Sequence, residues 1–257
     1  MAVNIDQCVA EIREIGHCVL PRHFPQQAIN EFHTGFLTVL DEVAARIPAG
    51  NRGANRWAIG LPFAPPFYQS AFFADNTVTE IVSRILGNDM FIAYYGTDTP
   101  TAGAEDQAIH SDVRPLFHEH PSLQHPPPTL SVRFTSVDMT LENGPYMTSE
   151  GTQVLARNEA QAMIEAGEVK LAPLLLRAGD ALISDPRTLH RGTANRSNAP
   201  RPFAVIVYNR AWFHLESEFR LEANEETAML RESFFQALPV EEQQLLRRVP
   251  RIHSDAA

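Results

Sequence analysis

Residues 179–209, GDALISDPRTLHRGTANRSNAPRPFAVIVYN, decide the fold of this chain. Two apolar, β-branched runs lie near the ends of this stretch, and turn-forming Asp, Pro, Gly, Asn and Ser residues lie between them. Apolar runs of this length that are bounded by turn residues predict β-strands. His190 follows the first run, and Arg201 begins the second run eleven residues later. The stretch therefore predicts neighbouring strands with an imidazole and a guanidinium close to their ends.

Runs of the same kind occur upstream, where MFIAYYGT begins at residue 90, QAIHSD at 107, LSVRFTSVDMT at 130 and KLAPLLL at 170. Turn residues separate these runs, as is typical of antiparallel sheets folded into a barrel or sandwich. The flanking segments instead show apolar residues at helical spacing. The predicted helices cover residues 5–15, 25–47, 78–86, 158–168 and 224–248, and a short strand is predicted at 16–21. We expect a mainly β fold with flanking helices.

The bulk composition suits one large domain. The 257 residues are 44% hydrophobic and 20% charged, which allows a substantial core. We expect a single domain with a mostly helical N-terminal part at 1–90, a β core at 91–210 and a helical C-terminal part at 211–257.

The charge and the termini restrict the partners and the compartment. A net charge of −10 argues against general binding to nucleic acid or anionic membranes, because such partners require a basic surface. Cys8 and Cys18 fit no metal-binding spacing. The N-terminus lacks the regions of a secretory signal, and no uncharged apolar run approaches the ~20 residues that span a bilayer. We expect a cytoplasmic monomer or homodimer that acts on a small molecule, without nucleic-acid or membrane partners.

His110 and Asp112 lie two residues apart in QAIHSD. Residues i and i+2 of a strand project from one face, so both side chains can reach the same ion. The motif is weak by itself, because His-Ser-Asp recurs at 253–255, where no strand pattern surrounds it and a solvated tail is the simpler interpretation.

His190 and Arg201 strengthen the interpretation of the first copy as a metal site. Two imidazoles and one carboxylate leave three coordination positions open, as is typical of non-haem iron that binds a cosubstrate and dioxygen. A structural zinc ion usually has four protein ligands, and no cysteine lies nearby in the sequence. The planar guanidinium of Arg201 suits the distal carboxylate of a dicarboxylic acid.

Together these segments resemble the phytanoyl-CoA dioxygenase (PhyH) family of Fe(II)- and 2-oxoglutarate-dependent oxygenases. The similarity covers roughly residues 91–209. The matching residues are Gln107, HSD at 110–112, DMTLENGP at 138–145, GDALISD at 179–185, HRGTANRS at 190–197 and RP at 201–202.

The resemblance implies a double-stranded β-helix, a jelly-roll barrel like that of the cupins. It implies that His110, Asp112 and His190 bind Fe(II) and act in catalysis. Dioxygen would be the second cosubstrate, ascorbate would support activity, and the products would include succinate and carbon dioxide. Related halogenases lack the carboxylate ligand, so Asp112 favours hydroxylation or desaturation.

The resemblance also implies the contacts of 2-oxoglutarate. Arg201 would bind its C5 carboxylate, and Thr193 and Gln107 would lie beside the cosubstrate. One departure concerns residues 149–153, where SEGTQ replaces the PGSH usual in the family. Substrate contacts inferred from that loop therefore do not transfer.

Three further residues are candidates for substrate contact, namely Arg133, Phe134 and Trp57. A buried arginine needs an anionic or carbonyl partner, and substrate, cosubstrate or a structural carboxylate all fit that need. Phe134 can line a pocket or fill the barrel wall, and Trp57 can face substrate or hold the N-terminal region in place.

We expect oxidation of an unactivated carbon in a natural-product or amino-acid-like metabolite. An acyl-CoA hydroxylase of the phytanoyl-CoA type is one alternative, although an acidic chain offers few cations for the phosphates of coenzyme A. A non-catalytic, cupin-like metal-binding protein is another. His118, His120 and His125 form either a second metal site or part of a surface loop, and this loop and the helix at 158–168 are candidate lids.

Overall fold

The β segments build two antiparallel sheets in the computed structural model, which describes residues 3–113, 116–117, 125–213 and 230–252. The strands are β1 (His17–Leu20), β2 (Arg56–Gly60), β3 (Phe91–Pro100), β4 (Thr129–Thr135), β5 (Tyr146–Thr148), β6 (Ala172–Leu174), β7 (Ala181–Ser184), β8 (His190–Gly192), β9 (Phe203–Asn209), β10 (Leu230–Arg231) and β11 (Arg251–Ile252). The larger sheet has the order β1-β7-β4-β9-β3-β2, and the smaller has the order β6-β5-β8. Strands β10 and β11 form a separate parallel pair. The predicted mainly β architecture is confirmed.

Helices flank the larger sheet. They are α1 (Ile5–Ile15), α2 (Gln26–Arg46), α3 (Ser70–Phe73), α4 (Asn76–Leu86), α5 (Arg157–Glu165), α6 (Glu232–Ala237) and α7 (Val240–Leu246). The four predicted helices before residue 200 are confirmed, with bounds that differ by up to three residues. None of the described helices combines the length and the apolar character that crossing a bilayer requires.

The predicted C-terminal helix at 224–248 is wrong as a single element. Its first six positions lie outside the described residues, and the rest forms β10, α6 and α7. Pro239 precedes α7 and has no N–H group to continue α6, so the helical pattern breaks there.

The predicted strand around His110 is also corrected. Only one isolated bridge forms, in which the N–H of His110 donates to the carbonyl of His190 at 2.9 Å and receives the reciprocal bond at 2.8 Å. The chain turns away after this bridge, and the N–H of Asp112 donates to the carbonyl of Pro186 at 2.9 Å. Asp112 therefore reaches the histidines from a bend and not from the next position of a strand.

The two faces of the larger sheet have different chemistry. In β4 the side chains of Thr129, Ser131 and Arg133 line a cavity, whereas Leu130 and Phe134 belong to the hydrophobic core. This is the period-two alternation that a pleated strand imposes. The polar face of β4 therefore looks toward the smaller sheet, and its apolar face looks toward the helices.

The core side is rich in aromatic rings. Phe134 stacks on Phe72 with ring centroids 4.5 Å apart, and the edge of Phe32 meets it at 5.1 Å. Strands β1 and β2 come from the first ninety residues, yet they form the two edges of the larger sheet. The N-terminal part thus contributes strands to the sheet that forms one wall of the cavity.

Candidate active site

His110 and His190 face each other directly across the isolated bridge, with ring centroids 4.5 Å apart. Each Nδ1 atom lies 2.8 Å from a backbone carbonyl, of Ala108 for His110 and of Thr188 for His190. A carbonyl oxygen only accepts hydrogen bonds, so each Nδ1 carries the proton and each Nε2 offers a lone pair. Such partners of the second ring nitrogen commonly fix the orientation of metal-binding histidines.

Asp112 completes the donor set. Its Oδ1 atom lies 3.6 Å from Nε2 of His110 and 3.4 Å from Nε2 of His190. One ligand atom from each of the three residues lies within 4.8 Å of the others. Metal–ligand bonds of about 2.0–2.2 Å at right angles place donor atoms about 3.0 Å apart. The three side chains are therefore gathered closely enough to hold one metal ion once their donor atoms move toward it.

The charges around Asp112 favour its carboxylate form. Burial raises its pKa, but His190, Arg133 and His110 outweigh that effect and hold the pKa well below the ordinary value. Burial and the neighbouring His190 lower the pKa of His110, which keeps its Nε2 free of a proton near neutral pH. Both groups are thus in the protonation state in which they bind metal.

Arg201 lies at the wall of the same cavity and is completely buried. Its Nε donates to the carbonyl of Gly144 at 2.9 Å, while Nη1 is buried with no hydrogen-bond partner among the described residues. Burial, with a smaller effect of Arg56, lowers the pKa of Arg201 to about 10 despite the nearby Asp98, so the group remains charged at neutral pH. A buried cation with an unused donor fits the carboxylate of a ligand.

The cavity that joins these groups has a volume of about 290 Å³. Its walls come from both sheets, with β3, β4 and β9 on one side and β5 and β8 on the other. Ligand pockets of small molecules begin at roughly 300 Å³. The space therefore suits a compact ligand beside the metal site.

The two other predicted cosubstrate residues differ in position. Gln107 lines the cavity, and its side-chain oxygen accepts from the N–H of Gly192 at 2.9 Å. The hydroxyl of Thr193 donates to the carbonyl of Pro145 at 2.7 Å, and Thr193 does not line the cavity. In the structure Thr193 thus connects the ends of β5 and β8.

Phe134 and Trp57 do not line the cavity but pack in the hydrophobic core, which is the structural one of the two interpretations that the sequence left open for each. Phe134 occupies the core face of β4, because its neighbour Arg133 occupies the cavity face. Trp57 packs in the same core, and its indole N–H donates to the carbonyl of Ile47 at 3.0 Å. Arg133 does line the cavity, and its guanidinium lies on Asp112 at 2.7 Å.

Sequence reasoning missed several cavity residues. The ring of Tyr146 lies 5.1 Å from that of His190, and Asp98 accepts from the buried Arg56 at 3.0 Å. Arg56 also donates to the carbonyls of Glu105 and Thr193, so it connects the segment before His110 with the segment after β8. For β4 the sequence did contain a signal: Thr129, Ser131 and Arg133 alternate with apolar residues, which indicates that one face of this strand is polar.

The model of the phytanoyl-CoA dioxygenase (PhyH) family matches residues 12–203. The chain belongs to the phytanoyl-CoA dioxygenase family. Membership confirms the predicted family and the predicted class, the Fe(II)- and 2-oxoglutarate-dependent oxygenases, and the His-Asp-His site is consistent with that class.

Solved structures with a similar fold include two enzymes of nogalamycin biosynthesis. SnoK, a non-heme alpha ketoglutarate dependent carbocyclase from nogalamycin biosynthesis, is 18% identical with a TM-score of 0.61, covering 82% of this chain and 87% of its own. HygX from Streptomyces hygroscopicus, solved with nickel and 2-oxoglutarate, is 17% identical with a TM-score of 0.62, and the match covers 83% of this chain and 89% of HygX. The epimerase SnoN, solved with Fe3+, alpha ketoglutarate and nogalamycin RO, is 15% identical with a TM-score of 0.57, covering 80% and 84%. These likenesses confirm the predicted jelly-roll fold of this family member.

Proposed function

We propose that this phytanoyl-CoA dioxygenase family member hydroxylates or desaturates an unactivated carbon of a small, natural-product or amino-acid-like metabolite. The observation that carries the proposal is the convergence of His110, Asp112 and His190 in one cavity whose wall also holds the buried Arg201. Bound iron and 2-oxoglutarate supply the oxidising chemistry, which consumes dioxygen and releases succinate and carbon dioxide.

In this proposal the three metal ligands hold Fe(II) and leave the remaining positions open. Arg201 holds the distal carboxylate of 2-oxoglutarate through its unused Nη1 donor. Gln107 lies close enough to the metal site to contact cosubstrate, whereas Thr193 acts through Pro145 on the shape of the wall. Apolar wall residues such as Val205 and Val207 limit the entry of water.

Two features support a free small molecule as the substrate. The cavity is compact, and the solved structures of similar fold include a carbocyclase and an epimerase of nogalamycin biosynthesis and a HygX complex with hygromycin B. Arg52 lines the cavity and is exposed. Its side chain makes no hydrogen bond or ion pair with the described residues, which supports contact with a polar or anionic group of the substrate. We further propose that the enzyme works in the cytoplasm as a monomer or homodimer, without nucleic acid or membrane partners.

The family description favours a second candidate, hydroxylation of an acyl-CoA thioester of the phytanoyl-CoA type. In that case the acyl chain would enter the cavity and the nucleotide would lie outside it. The same experiment separates both candidates from a metal-binding protein without turnover.

The test is a screen of small metabolites and acyl-CoA thioesters with Fe(II), ascorbate and 2-oxoglutarate. Succinate release that depends on one compound, with a product that gains one oxygen or loses two hydrogens, supports the proposal and names the substrate class. Arg251→Met is a control variant that should release succinate like the wild type, because Arg251 pairs with Glu232 at 3.3 Å and neither residue lines the cavity. Iron binding without succinate release, with or without any compound, would refute the proposal.

A further inference from the structure

Arg133 is an unusual component of the cavity wall, because it is a nearly buried arginine in direct contact with a metal-binding residue. It lies in β4, and its side chain is 7% exposed. The flanking residues Val132 and Phe134 point into the core, so the strand allows Arg133 only the cavity side.

The guanidinium of Arg133 is held by three neighbours. Nη2 donates to Oδ2 of Asp112 at 2.7 Å, and Nη1 donates to the hydroxyl of Ser184 in β7 at 2.6 Å. The guanidinium carbon also lies 5.5 Å from the ring centroid of Tyr146. The position of the group is therefore fixed by β4, β5 and β7 together.

These contacts divide the carboxylate of Asp112 into two oxygens with different roles. Oδ2 accepts from Arg133, while Oδ1 lies 3.4–3.6 Å from Nε2 of both histidines. Only Oδ1 thus faces the point at which the three donors converge.

We propose that Arg133 is a positioning residue that keeps Asp112 a one-oxygen metal ligand and so keeps the positions for 2-oxoglutarate and dioxygen open. The inference rests on the proposed function. Carboxylates bind cations through one oxygen or through two. Two histidines and a one-oxygen Asp112 leave the three positions that a chelating 2-oxo acid and dioxygen need together. A second Asp112 oxygen would compete for one of them, so 2-oxoglutarate would bind against that competition.

Substrate contact is the competing role for Arg133. Two of the five N–H groups of Arg133 donate to Asp112 and Ser184, and these bonds hold the guanidinium against the metal-binding carboxylate, so a substrate could use only the remaining N–H groups without moving it. The existing contacts therefore favour the positioning role.

The test measures the binding of Co2+, and then of 2-oxoglutarate to the Co2+-loaded protein, by calorimetry without turnover. In Arg133→Met we expect Co2+ to bind at least as tightly as in the wild type, because a nearby positive charge is lost and Oδ2 becomes free to bind the ion. We expect 2-oxoglutarate to bind about 10- to 100-fold more weakly. Arg133→Lys retains a charged donor and should recover most of that loss.

Ser184→Ala loosens the same guanidinium without removing it, and should weaken 2-oxoglutarate binding in the same direction but by less. Arg251→Met is the matched control for the loss of an ion-paired arginine away from the cavity. Equal weakening of Co2+ and 2-oxoglutarate binding in Arg133→Met would overturn the inference, as would unchanged binding of both with a raised KM for substrate. A wild-type protein that binds Co2+ but not 2-oxoglutarate would instead refute the proposed function, and this inference with it.

Discussion

Replacement of Arg201 by methionine tests the cosubstrate end of the cavity. The Nε atom of Arg201 already donates to Gly144, and the buried Nη1 has no partner among the described residues, so it is a donor available to a ligand. A charge-assisted hydrogen bond contributes roughly 1.5–3 kcal/mol. Because about 1.4 kcal/mol changes a dissociation constant tenfold, we expect the Kd of 2-oxoglutarate to rise about 10- to 150-fold.

Thermal unfolding of the metal-loaded protein measures this difference without a known substrate. At a 2-oxoglutarate concentration of about 100 times the wild-type Kd, the ligand stabilises the wild type by about 2.7 kcal/mol. A variant with a Kd that is weaker by about 100-fold gains only about 0.4 kcal/mol. For a domain of this size roughly 2–4 °C accompany each kcal/mol, so the expected shifts in Tm are about 5–10 °C for the wild type and about 1 °C for Arg201→Met.

Two variants complete this experiment. Arg201→Lys keeps the charge but loses the planar fork, so we expect a shift between the two values. Arg251→Met should shift like the wild type, because its ion pair lies away from the cavity. If Arg201→Met shifted as far as the wild type on addition of 2-oxoglutarate, the assignment of Arg201 to the distal carboxylate would be refuted.

Three further changes have definite expected results. Asp112→Ala removes a donor atom and leaves Arg133 without its carboxylate, so Co2+ affinity in calorimetry should fall at least about 100-fold; a smaller loss would contradict the ligand assignment. Burial lowers the pKa of His17, so the stabilisation present above pH 6.5 is lost as the pH falls. The unfolding free energy of the metal-free protein in urea should therefore decrease toward acid by up to about 1.4 kcal/mol per pH unit, and His17→Leu should have a shallower slope than the wild type. Tyr68→Phe leaves the buried carboxylate of Glu242 without its hydroxyl donor, and should lower the unfolding free energy by roughly 1–3 kcal/mol; an unchanged urea midpoint would contradict that role of the hydrogen bond.

Much of the metal site could be predicted from sequence, because its residues lie beside strongly patterned segments. His190 follows the apolar run of β7 after a short turn, and that turn returns it to the bridge with His110. The prediction that His110 and Asp112 share a strand was nevertheless wrong, since residues 101–109 form turns and irregular structure before the bridge. Two residues in a bend can converge on a third partner as well as two residues on a strand can.

The faces of the strands were predicted less well. Arg133 and Phe134 were both candidates for substrate contact, yet consecutive strand residues point to opposite faces, so both cannot line one cavity. Once Thr129, Ser131 and Arg133 are recognised as one polar face, Phe134 must belong to the other. Trp57 had no such pattern to place it, because every residue of β2 is buried.

The cavity wall contains buried polar atoms that the protein alone leaves unsatisfied. Nη1 of Arg201, Oδ1 of Asp98 and Oγ1 of Thr97 have no hydrogen-bond partner among the described residues, and all three side chains line the cavity. An unsatisfied buried polar group costs roughly 1–3 kcal/mol, whereas a whole domain is stable by about 5–15 kcal/mol. The unpaired Nη1 of Arg201 and Oγ1 of Thr97 beside the metal ligands are therefore best explained by a polar ligand whose oxygens accept from them, and a dicarboxylate held by Arg201 is such a ligand. Oδ1 of Asp98 only accepts hydrogen bonds, so it needs a donor such as a hydroxyl group or water.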